Sequence, residues 1–510
     1  MTDYSWTDSR AAGALAHISS LPSRQGIGSF GKGADLFMEF LAESGFKYWQ
    51  VCPLAPTGYG DSPYQSFSSF AGNTYFIDYH ALADAGLLGR GDAEEMEALP
   101  GGFCDYGAVY ETLPRMLRKA AAKKREYRNL GFPVAIGEFA EKNAWWLDGY
   151  AEFMALKKRF GGRPWSEWPD SFKFRRGMKF TREDEEEKRA VVFGQWVFDC
   201  QYRAFREKLR AAGLEIIGDV PIFVSRDSAD VWANPGLFEL EADLSPRFVA
   251  GVGPDYFSPT GQLWGNPLYR WDAKGEELFR FWERRLEKSF EMYDVLRIDH
   301  FRGFADYWEI PAGETDASKG RWRDGPGKPF FARMRKTFPR EKFIAEDLGI
   351  LSDKARRLVR DIRMPNMAVL QFAFGGVPSN PYLPHNLSRD MVCYTGTHDN
   401  DTSASWYASA PEKARDQFRR YFSTPGDAPN WTMTLAAMTS VCKIAVIPMQ
   451  DILGLGAEAR MNTPGRPYGN WQWRMTKSQL EAAIANQAPF LRGMCELSGR
   501  LNPAPSAENA

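Results

Sequence analysis

Short runs of apolar residues recur along the chain, and each run gives way to polar residues, glycine or proline. Amphipathic stretches of helical period separate eight runs of strand length. These runs cover residues 14–17, 48–53, 215–220, 295–299, 343–346, 368–372, 391–394 and 444–448. Alternating strands and helices favour a parallel sheet, so we predict an α/β protein with a (β/α)8 TIM barrel.

Two stretches interrupt this alternation. Residues 85–205 combine charge-rich and helical patterns, which predicts a mostly helical subdomain inserted between the second and third strands. Residues 234–271 are irregular and aromatic, as expected of a lid over the catalytic, C-terminal face of the barrel. We assign residues 1–84 to the first barrel strands and a substrate loop, residues 206–497 to the remainder of the barrel, and residues 498–510 to a disordered tail.

Composition narrows the class of protein. The 64 basic and 65 acidic residues leave a formal charge of −1, which indicates neither a nucleic acid nor a membrane partner. The chain has no secretory signal pattern and no apolar run of about eighteen residues. Its six cysteines are dispersed, without the spacing of a disulfide framework or a zinc site. We therefore expect a cytoplasmic protein.

Aromatic residues make up 14% of the chain, and several tryptophans fall in loops rich in glycine and proline. Examples are Trp232, which precedes NPGLF, and Trp471 and Trp473 in GNWQWR. Exposed aromatic faces suit flat, weakly polar ligands such as sugar rings. The alternative is that most of these rings fill the core of a large domain.

Polar residues end most of the eight apolar runs, which is where a (β/α)8 barrel carries its catalytic groups. Arg297 and Asp299 are two apart, so on a strand both side chains point to the same side. An arginine there would hold the aspartate ionised, as a carboxylate nucleophile requires, although a structural ion pair has the same pattern. The other run-ending polar residues are His17, Gln50, Asp219, Glu346, Gln371 and the THDND sequence after Tyr394.

Two further motifs carry acids. Glu346 ends an apolar strand, a setting that raises a carboxyl pKa and suits a general acid; the alternative, an acid at a helix N-terminus, fits Asp347 better. His398 and Asp399 could bind ligand hydroxyls or stabilise a developing cation, or could ligate a metal together with Asp401. The usual H-x-H pair of metal-dependent barrels is missing, so we expect no metal.

Several carboxylates on one face, with no phosphate loop, dinucleotide fingerprint or nucleophile triad, favour chemistry at a glycosidic bond without a cofactor. Three motifs also resemble those of a known family: RIDHFRGF, IAEDLG and YTGTHDNDT are similar to the acid motifs of the amylomaltases. These are the 4-α-glucanotransferases of glycoside hydrolase family 77, in the α-amylase clan. The similarity extends to other blocks along nearly the whole chain, among them SLPSRQGIGSFG, TGYGDSPYQ, PDYFSPTGQLWGNPLYRW and EARMNTPGRPYGNWQWR.

The resemblance implies roles for individual residues. Asp299 would be the nucleophile, Glu346 the general acid/base and Asp399 the transition-state stabiliser, with Arg297 supporting the nucleophile. The residues implied to bind substrate are Arg297, His398, Asp219, Tyr59, Asp61, Ser62, Asp255, Gln262, Trp264, Asn266, His300, Asn462 and Gly469. The chain departs from the family pattern at Gly253 in the lid and at Gly375 after QFAF.

The activity implied by the resemblance is transfer of α-1,4-glucan segments between maltooligosaccharides. It would proceed by a retaining double displacement through a covalent glucosyl-enzyme, with α-1,4-glucans as donor and acceptor. An α-glucan hydrolase on the same fold and a non-catalytic glucan-binding protein remain as alternatives. The sequence does not indicate an oligomeric state.

Overall fold

The eight predicted strands close into a barrel. The computed structural model describes residues 3–7, 9–254, 258–349 and 351–503. Twelve strands lie within those ranges: β1 (Ala11–Leu15), β2 (Tyr48–Gln50), β3 (Glu215–Pro221), β4 (Phe248–Val252), β5 (Gln262–Pro267), β6 (Val295–Asp299), β7 (Asp306–Pro311), β8 (Arg321–Asp324), β9 (Lys342–Ala345), β10 (Asn366–Val369), β11 (Met391–Tyr394) and β12 (Ile444–Pro448).

Eight of these strands form a closed, all-parallel barrel in the order β1-β12-β11-β10-β9-β6-β3-β2, which confirms the predicted fold. Five of the eight strands differ from the predicted bounds by a few residues. The first strand ends at Leu15, so His17 lies beyond it, and the sixth ends at Val369 and continues as a 3₁₀ turn that carries Gln371. The apolar residues that fill the barrel are Ala11, Leu15, Tyr48, Ile217, Val295, Ile344, Met367, Val369, Val392, Tyr394, Ile444 and Val446.

Helices surround the barrel. Within the described residues they are α1 (Lys32–Glu43), α2 (Tyr79–Asp84), α3 (Arg90–Glu97), α4 (Tyr106–Ala122), α5 (Ile136–Arg159), α6 (Asp170–Lys173), α7 (Arg182–Ala211), α8 (Ala229–Ala233), α9 (Trp271–Met292), α10 (Gly327–Thr337), α11 (Asp353–Ile362), α12 (Ser403–Ser409), α13 (Glu412–Phe422), α14 (Pro429–Thr439), α15 (Met449–Ile452) and α16 (Lys477–Ser498). None of them combines the length and apolar character needed to cross a bilayer.

Helices α2 to α7 lie between β2 and β3, the place predicted for the insertion, while its limits at residues 85 and 205 stay a prediction. The longest of them, α7, begins at a capping box. Thr181 Oγ1 accepts from the N–H of Asp184 at 3.2 Å, and Asp184 Oδ2 accepts from the N–H of Thr181 at 2.7 Å. These reciprocal bonds satisfy donors that a helix start leaves free.

A second, antiparallel sheet lies in and beyond the region predicted as an irregular lid. Its strand order is β5-β4-β7-β8, and β4 and β5 both fall within residues 234–271. Val249, Ile310 and Ala317 form a small apolar core against Trp308. The region is therefore partly a sheet, because apolar residues of β4 find partners on β7, which is distant in sequence.

The disordered tail predicted from residue 498 is wrong for residues 498–503. Ser498 ends α16, and the Arg500 side chain is fully buried. Its guanidinium donates to five backbone carbonyl oxygens, those of Ala11, Met438, Ser440, Cys442 and Lys443, at 2.6 to 3.3 Å. One charged residue thereby joins the chain end to β1 and to the segment that enters β12. Residues 504–510 lie outside the described ranges.

Replacing Arg500 with alanine is expected to lower the free energy of unfolding by about 3 to 5 kcal/mol, because buried carbonyl groups lose a charged donor. Urea unfolding followed by tryptophan fluorescence measures this change. A chain ending at Pro503 keeps every contact of Arg500 and serves as the control. Equal unfolding midpoints for the alanine variant and the native chain would contradict the role given to Arg500.

Candidate active site

Asp299 and Glu346 lie side by side at the carboxyl ends of two neighbouring barrel strands. β6 and β9 pair with Ile298 opposite Ala345, so the two acids follow on adjacent strands. His300 adopts the left-handed conformation, with φ of 49°. Its backbone N–H donates to Glu346 Oε2 at 2.8 Å. The turn after β6 therefore holds the acid that follows β9.

Arg297 binds two carboxylates at once. Its Nη1 donates to Asp219 Oδ2 at 2.5 Å and to Asp299 Oδ1 at 3.0 Å. Asp219 faces Arg297 in the register of β3 and β6. Burial alone would lower the pKa of Arg297, but the charges of Asp219 and Asp299 hold it well above its ordinary value. Arg297 thus places a lasting positive charge beside the carboxylate of Asp299.

Glu346 is held in a different state. Burial raises the pKa of its carboxyl to about 7, and the negative charge of Asp299 adds to this rise. The charge of Arg297 and the N–H bonds from Leu348 and His300 oppose it. Near neutral pH, Glu346 can therefore hold a proton and release it, whereas Asp299 lies against a fixed cation.

The third acid, Asp399, follows β11. Asn462 Nδ2 donates to Asp399 Oδ1 at 2.6 Å, and His398 Nε2 lies 3.4 Å from Asp399 Oδ2. Burial would raise the pKa of Asp399, but the charge of His398 and the bonds from His398 and Asn462 outweigh it and lower that pKa. Asp399 in turn raises the pKa of His398 well above its ordinary value, against the effect of burial. About half of the Asp399 side chain, 45%, remains open to solvent.

Tyr64 connects Asp219 with His398. Its hydroxyl donates to Asp219 Oδ2 at 2.8 Å, and its ring stacks on that of His398 at 5.1 Å. Ser62 Oγ accepts from the backbone N–H of Tyr64 at 3.2 Å. Ser62 was predicted as a site residue and Tyr64 was not, although both belong to TGYGDSPYQ. A tyrosine in a loop gave no signal that it would reach an acid 155 residues away.

β5 brings two predicted residues to the site. The Trp264 ring packs edge-on against the ring of His300, with the two ring centroids 4.7 Å apart. His300 is the residue that follows Asp299, the last residue of β6. Trp264 Nε1 donates to Gln262 Oε1 at 3.0 Å. Burial lowers the pKa of His300 to about 4, although the charge of Asp299 opposes the change. His300 is therefore neutral at pH 7.

Asp61 and Asn266 already have partners within the protein. The Tyr110 hydroxyl donates to Asp61 Oδ1 at 2.6 Å, and burial raises the pKa of Asp61 against that bond. Asn266 Nδ2 donates to the carbonyl oxygen of Val224 at 2.9 Å, while its Oδ1 accepts from Gln65 Nε2 at 3.3 Å. These bonds connect the loop after β2, which carries Asp61 and Gln65, to Tyr110 on α4 and to Asn266 on β5.

The remaining predicted residues fall into two groups. Gly469 has φ of 79°, a conformation that glycine adopts without strain, in the loop that follows Asn462. Asp255 lies outside the described residues, as does the side chain of Tyr59, whose backbone forms a 3₁₀ turn, Tyr59–Asp61.

Two of the loop tryptophans are not open platforms for sugar. Trp232 and Trp471 are 1% and 2% exposed. Trp471 packs against His398, with ring centroids 5.7 Å apart, and against Tyr64 at 5.8 Å. Both rings are thus core residues, and Trp471 packs against the buried sides of His398 and Tyr64.

Asp347 is not the acid of a helix N-terminus. It accepts from Asn366 Nδ2 at 2.8 Å and from the backbone N–H of Met367 at 3.1 Å. β9 and β10 share a single backbone pair, Asn366 with Ala345, so Asp347 adds side-chain bonds where the ladder is short. This contact joins the residue next to Glu346 to the following strand.

The third residue considered as a metal ligand, Asp401, accepts from Ser405 Oγ at 2.8 Å through its Oδ2. In the part of the chain that the structure describes, no group of three or more histidine, cysteine, aspartate or glutamate side chains could hold a metal ion.

The site joins a closed (β/α)8 barrel to three acids on its catalytic face, one able to carry a proton beside another held against an arginine. This combination is typical of enzymes that act on glycosidic bonds. The chain belongs to the 4-alpha-glucanotransferase family, whose sequence profile matches residues 16–480. The resemblance inferred from the three acid motifs is confirmed.

Individual relatives are similar over almost their whole length. The 4-alpha-glucanotransferase of Thermus thermophilus is 46% identical over 504 residues, which cover 96% of this chain and 99% of that protein. The chloroplastic or amyloplastic one of Solanum tuberosum is 38% identical, covering 97% and 87%. The structure of the amylomaltase from Streptococcus agalactiae in complex with acarbose matches with a TM-score of 0.91 at 36% identity, covering 97% of this chain and all of that one.

Replacing Asp299 with asparagine is expected to lower the pKa of Glu346 from about 7, because a negative charge that favours the protonated form is removed. A ¹³C NMR titration of protein labelled at glutamate carboxyl carbons measures this, with the Glu346 signal identified by its loss in Glu346→Gln. Asp353→Asn, which alters an exposed carboxylate on α11, is the control. An unchanged or raised pKa in Asp299→Asn would contradict the electrostatic coupling.

Proposed function

We propose that this protein transfers α-1,4-glucan segments between maltooligosaccharides by a retaining double displacement. The observation that supports this best is the pairing of β6 and β9, which sets Asp299 next to Glu346. Adjacent strands lie about 4.8 Å apart. This spacing suits the roughly 5 to 5.5 Å between carboxyl groups of retaining enzymes better than the wider gap of inverting ones.

In the first step, Asp299 attacks the anomeric carbon and the glycosidic C–O bond breaks. Glu346 gives its proton to the departing 4-hydroxyl oxygen, and a glucosyl ester of Asp299 remains. In the second step, the 4-hydroxyl of an acceptor loses its proton to Glu346 while its oxygen displaces Asp299 from the anomeric carbon. Both steps invert the configuration, so the new bond is again α-1,4.

Glu346 must be an acid in one step and a base in the next. Esterification neutralises Asp299, and with it the charge that helps to keep the pKa of Glu346 high. The ester therefore makes Glu346 a weaker base but leaves more of it ionised near neutral pH, as proton removal from the acceptor requires. Arg297 keeps its charge throughout.

Asp399, His398 and Asp219 complete the subsite for the transferred glucose. Asp399 lies in the open cleft as an anion, where it can stabilise positive charge that develops at the anomeric carbon. His398, stacked under Tyr64, is a charged donor for a sugar hydroxyl. Trp264 on β5 offers an aromatic face beside His300.

Transfer requires that the glucosyl ester react with a sugar acceptor faster than with water. We assign this task to the lid segment around residues 251–264, part of which lies outside the described residues. Gly253 packs closely there: a Cβ at this position would lie 3.2 Å from the Trp308 ring. Excluding water from the ester and binding the acceptor in advance would both favour transfer. A cytoplasmic location stays a prediction, and the name of the potato relative places that protein in plastids.

Incubation with maltotriose is expected to give glucose together with oligosaccharides longer than maltotriose. Transfer conserves the number of reducing ends, whereas hydrolysis raises it, so chromatography and a reducing-end assay on one sample distinguish the two. Asp299→Asn and Glu346→Gln should abolish redistribution with the fold intact, because each removes one chemical role at nearly constant volume. Rising reducing ends without longer products would indicate a hydrolase, and no change would indicate a binding protein.

Azide tests the stereochemistry. In Glu346→Ala, an activated glucosyl fluoride should still esterify Asp299, because fluoride leaves without a proton donor. Azide should then displace the ester without a general base and give the α-glucosyl azide, which is identified by NMR. Formation of the β-azide would contradict the double displacement.

A further inference from the structure

The loop that carries His398 and Asp399 is closed by one buried carboxylate outside the substrate cleft. This loop, residues 395–403, runs from the end of β11 to the start of α12. Asp451 lies in α15, directly after the neighbouring strand β12. Its Oδ2 accepts from Thr395 Oγ1 at 2.5 Å and from Ser403 Oγ at 2.7 Å, and its Oδ1 accepts from the Ser403 N–H at 2.7 Å.

The three bonds join the two ends of the loop to the same side chain. Asp451 is 2% exposed, and Thr395 and Ser403 are fully buried, so water does not compete for these donors. The carbonyl oxygen of Asp451 accepts from Asn430 Nδ2 at 2.9 Å, which ties α15 to α14. The backbone of Asp451 is therefore held by α14, independently of the bonds that its carboxylate makes to the loop.

The chain that follows Asp451 holds the middle of the same loop. Arg460 Nη2 donates to the carbonyl oxygen of Asp399 at 2.9 Å, and Arg460 Nε donates to that of Asn462 at 2.9 Å. The Asn462 N–H donates to the carbonyl oxygen of His398 at 3.1 Å. The segment after β12 thus contacts the loop at both ends and at the two residues that face the cleft.

We propose that Asp451 is a positioning residue for Asp399: it closes residues 395–403 into one conformation and so fixes where the Asp399 carboxylate lies in the cleft. The proposal rests on the role given above to Asp399. Three donors converge on two oxygens, a demand that a carboxylate meets and that alanine leaves unmet. A displacement of about 1 Å at a reacting centre can cost about a hundredfold in rate.

Asp451→Ala is expected to lower kcat for transfer by about tenfold to a hundredfold, because the loop loses the bonds that close it. Asp184→Ala, which removes a buried carboxylate of the α7 capping box far from the cleft, is the matched control. It should lower the thermal unfolding midpoint while kcat stays unchanged. An Asp451→Ala variant that behaves like this control would overturn the proposal.

A double-mutant cycle tests whether Asp451 acts through Asp399. In Asp399→Asn protein, adding Asp451→Ala should cause little further loss of activity, measured with an activated maltosyl fluoride donor. In Glu346→Gln protein, the same addition should keep its full effect on the rate of the first fluoride release. Equal losses with and without Asp399 would mean that Asp451 serves the fold alone.

Thr395→Val is the milder variant if Asp451→Ala does not fold. It removes one of the three bonds at nearly constant shape, so we expect a smaller loss of kcat that also vanishes in Asp399→Asn. A native kcat in this variant would contradict the proposal. Native activity in Asp399→Asn would contradict the role given to Asp399 in the proposed function. That result differs from a native kcat in Thr395→Val, which would contradict only the positioning role of Asp451.

Discussion

One guanidinium shared by two carboxylates organises the catalytic face. Arg297 lies inside the barrel with bonds to Asp219 and Asp299, and the charges of these two carboxylates hold the pKa of Arg297 well above its ordinary value. Removing Arg297 would leave both carboxylates without their cation, which is costly. Arg297 holds the carboxylate of Asp299 in place, and the charge of Asp299 helps to raise the pKa of Glu346. The acid and the nucleophile are therefore set by the same interaction.

The barrel supplies the geometry that this interaction needs. Parallel strands bring all of their carboxyl ends to one face, and the β6–β9 register brings two acids from distant parts of the sequence into contact. The third acid arrives on a loop, which a strand register cannot fix. Its position depends instead on contacts that Asp451 and Arg460, in the segment after β12, make with the loop.

The strands, the barrel and the three acids could be predicted because each signal is local. An apolar run predicts a strand, and a polar residue at its end predicts a place on the catalytic face. Arg297 and Asp299 share a side for the same reason, since side chains alternate along a strand. The family motifs then linked these positions to a reaction.

The rest depended on contacts between residues far apart in sequence. Tyr64, Asp451 and Trp471 look like ordinary loop or helix residues until the fold sets them against His398 and its loop. The tail was predicted to be disordered because its composition is polar, whereas Arg500 is held by carbonyl groups of β1 and of the segment that enters β12. The sheet formed by β4 and β7 was not predicted either, because its two strands are far apart in sequence.

Trapping the covalent intermediate shows which carboxylate is the nucleophile. Glu346→Gln protein, given an α-glucosyl fluoride, should accumulate the ester, because the departing fluoride needs no acid and the acceptor finds no base. Mass spectrometry of its peptides is expected to show one glucosyl residue attached to Asp299. A label on Asp219 or Asp399, or complete turnover of the fluoride with no labelled peptide, would contradict the assignment of Asp299 as the nucleophile held by Arg297.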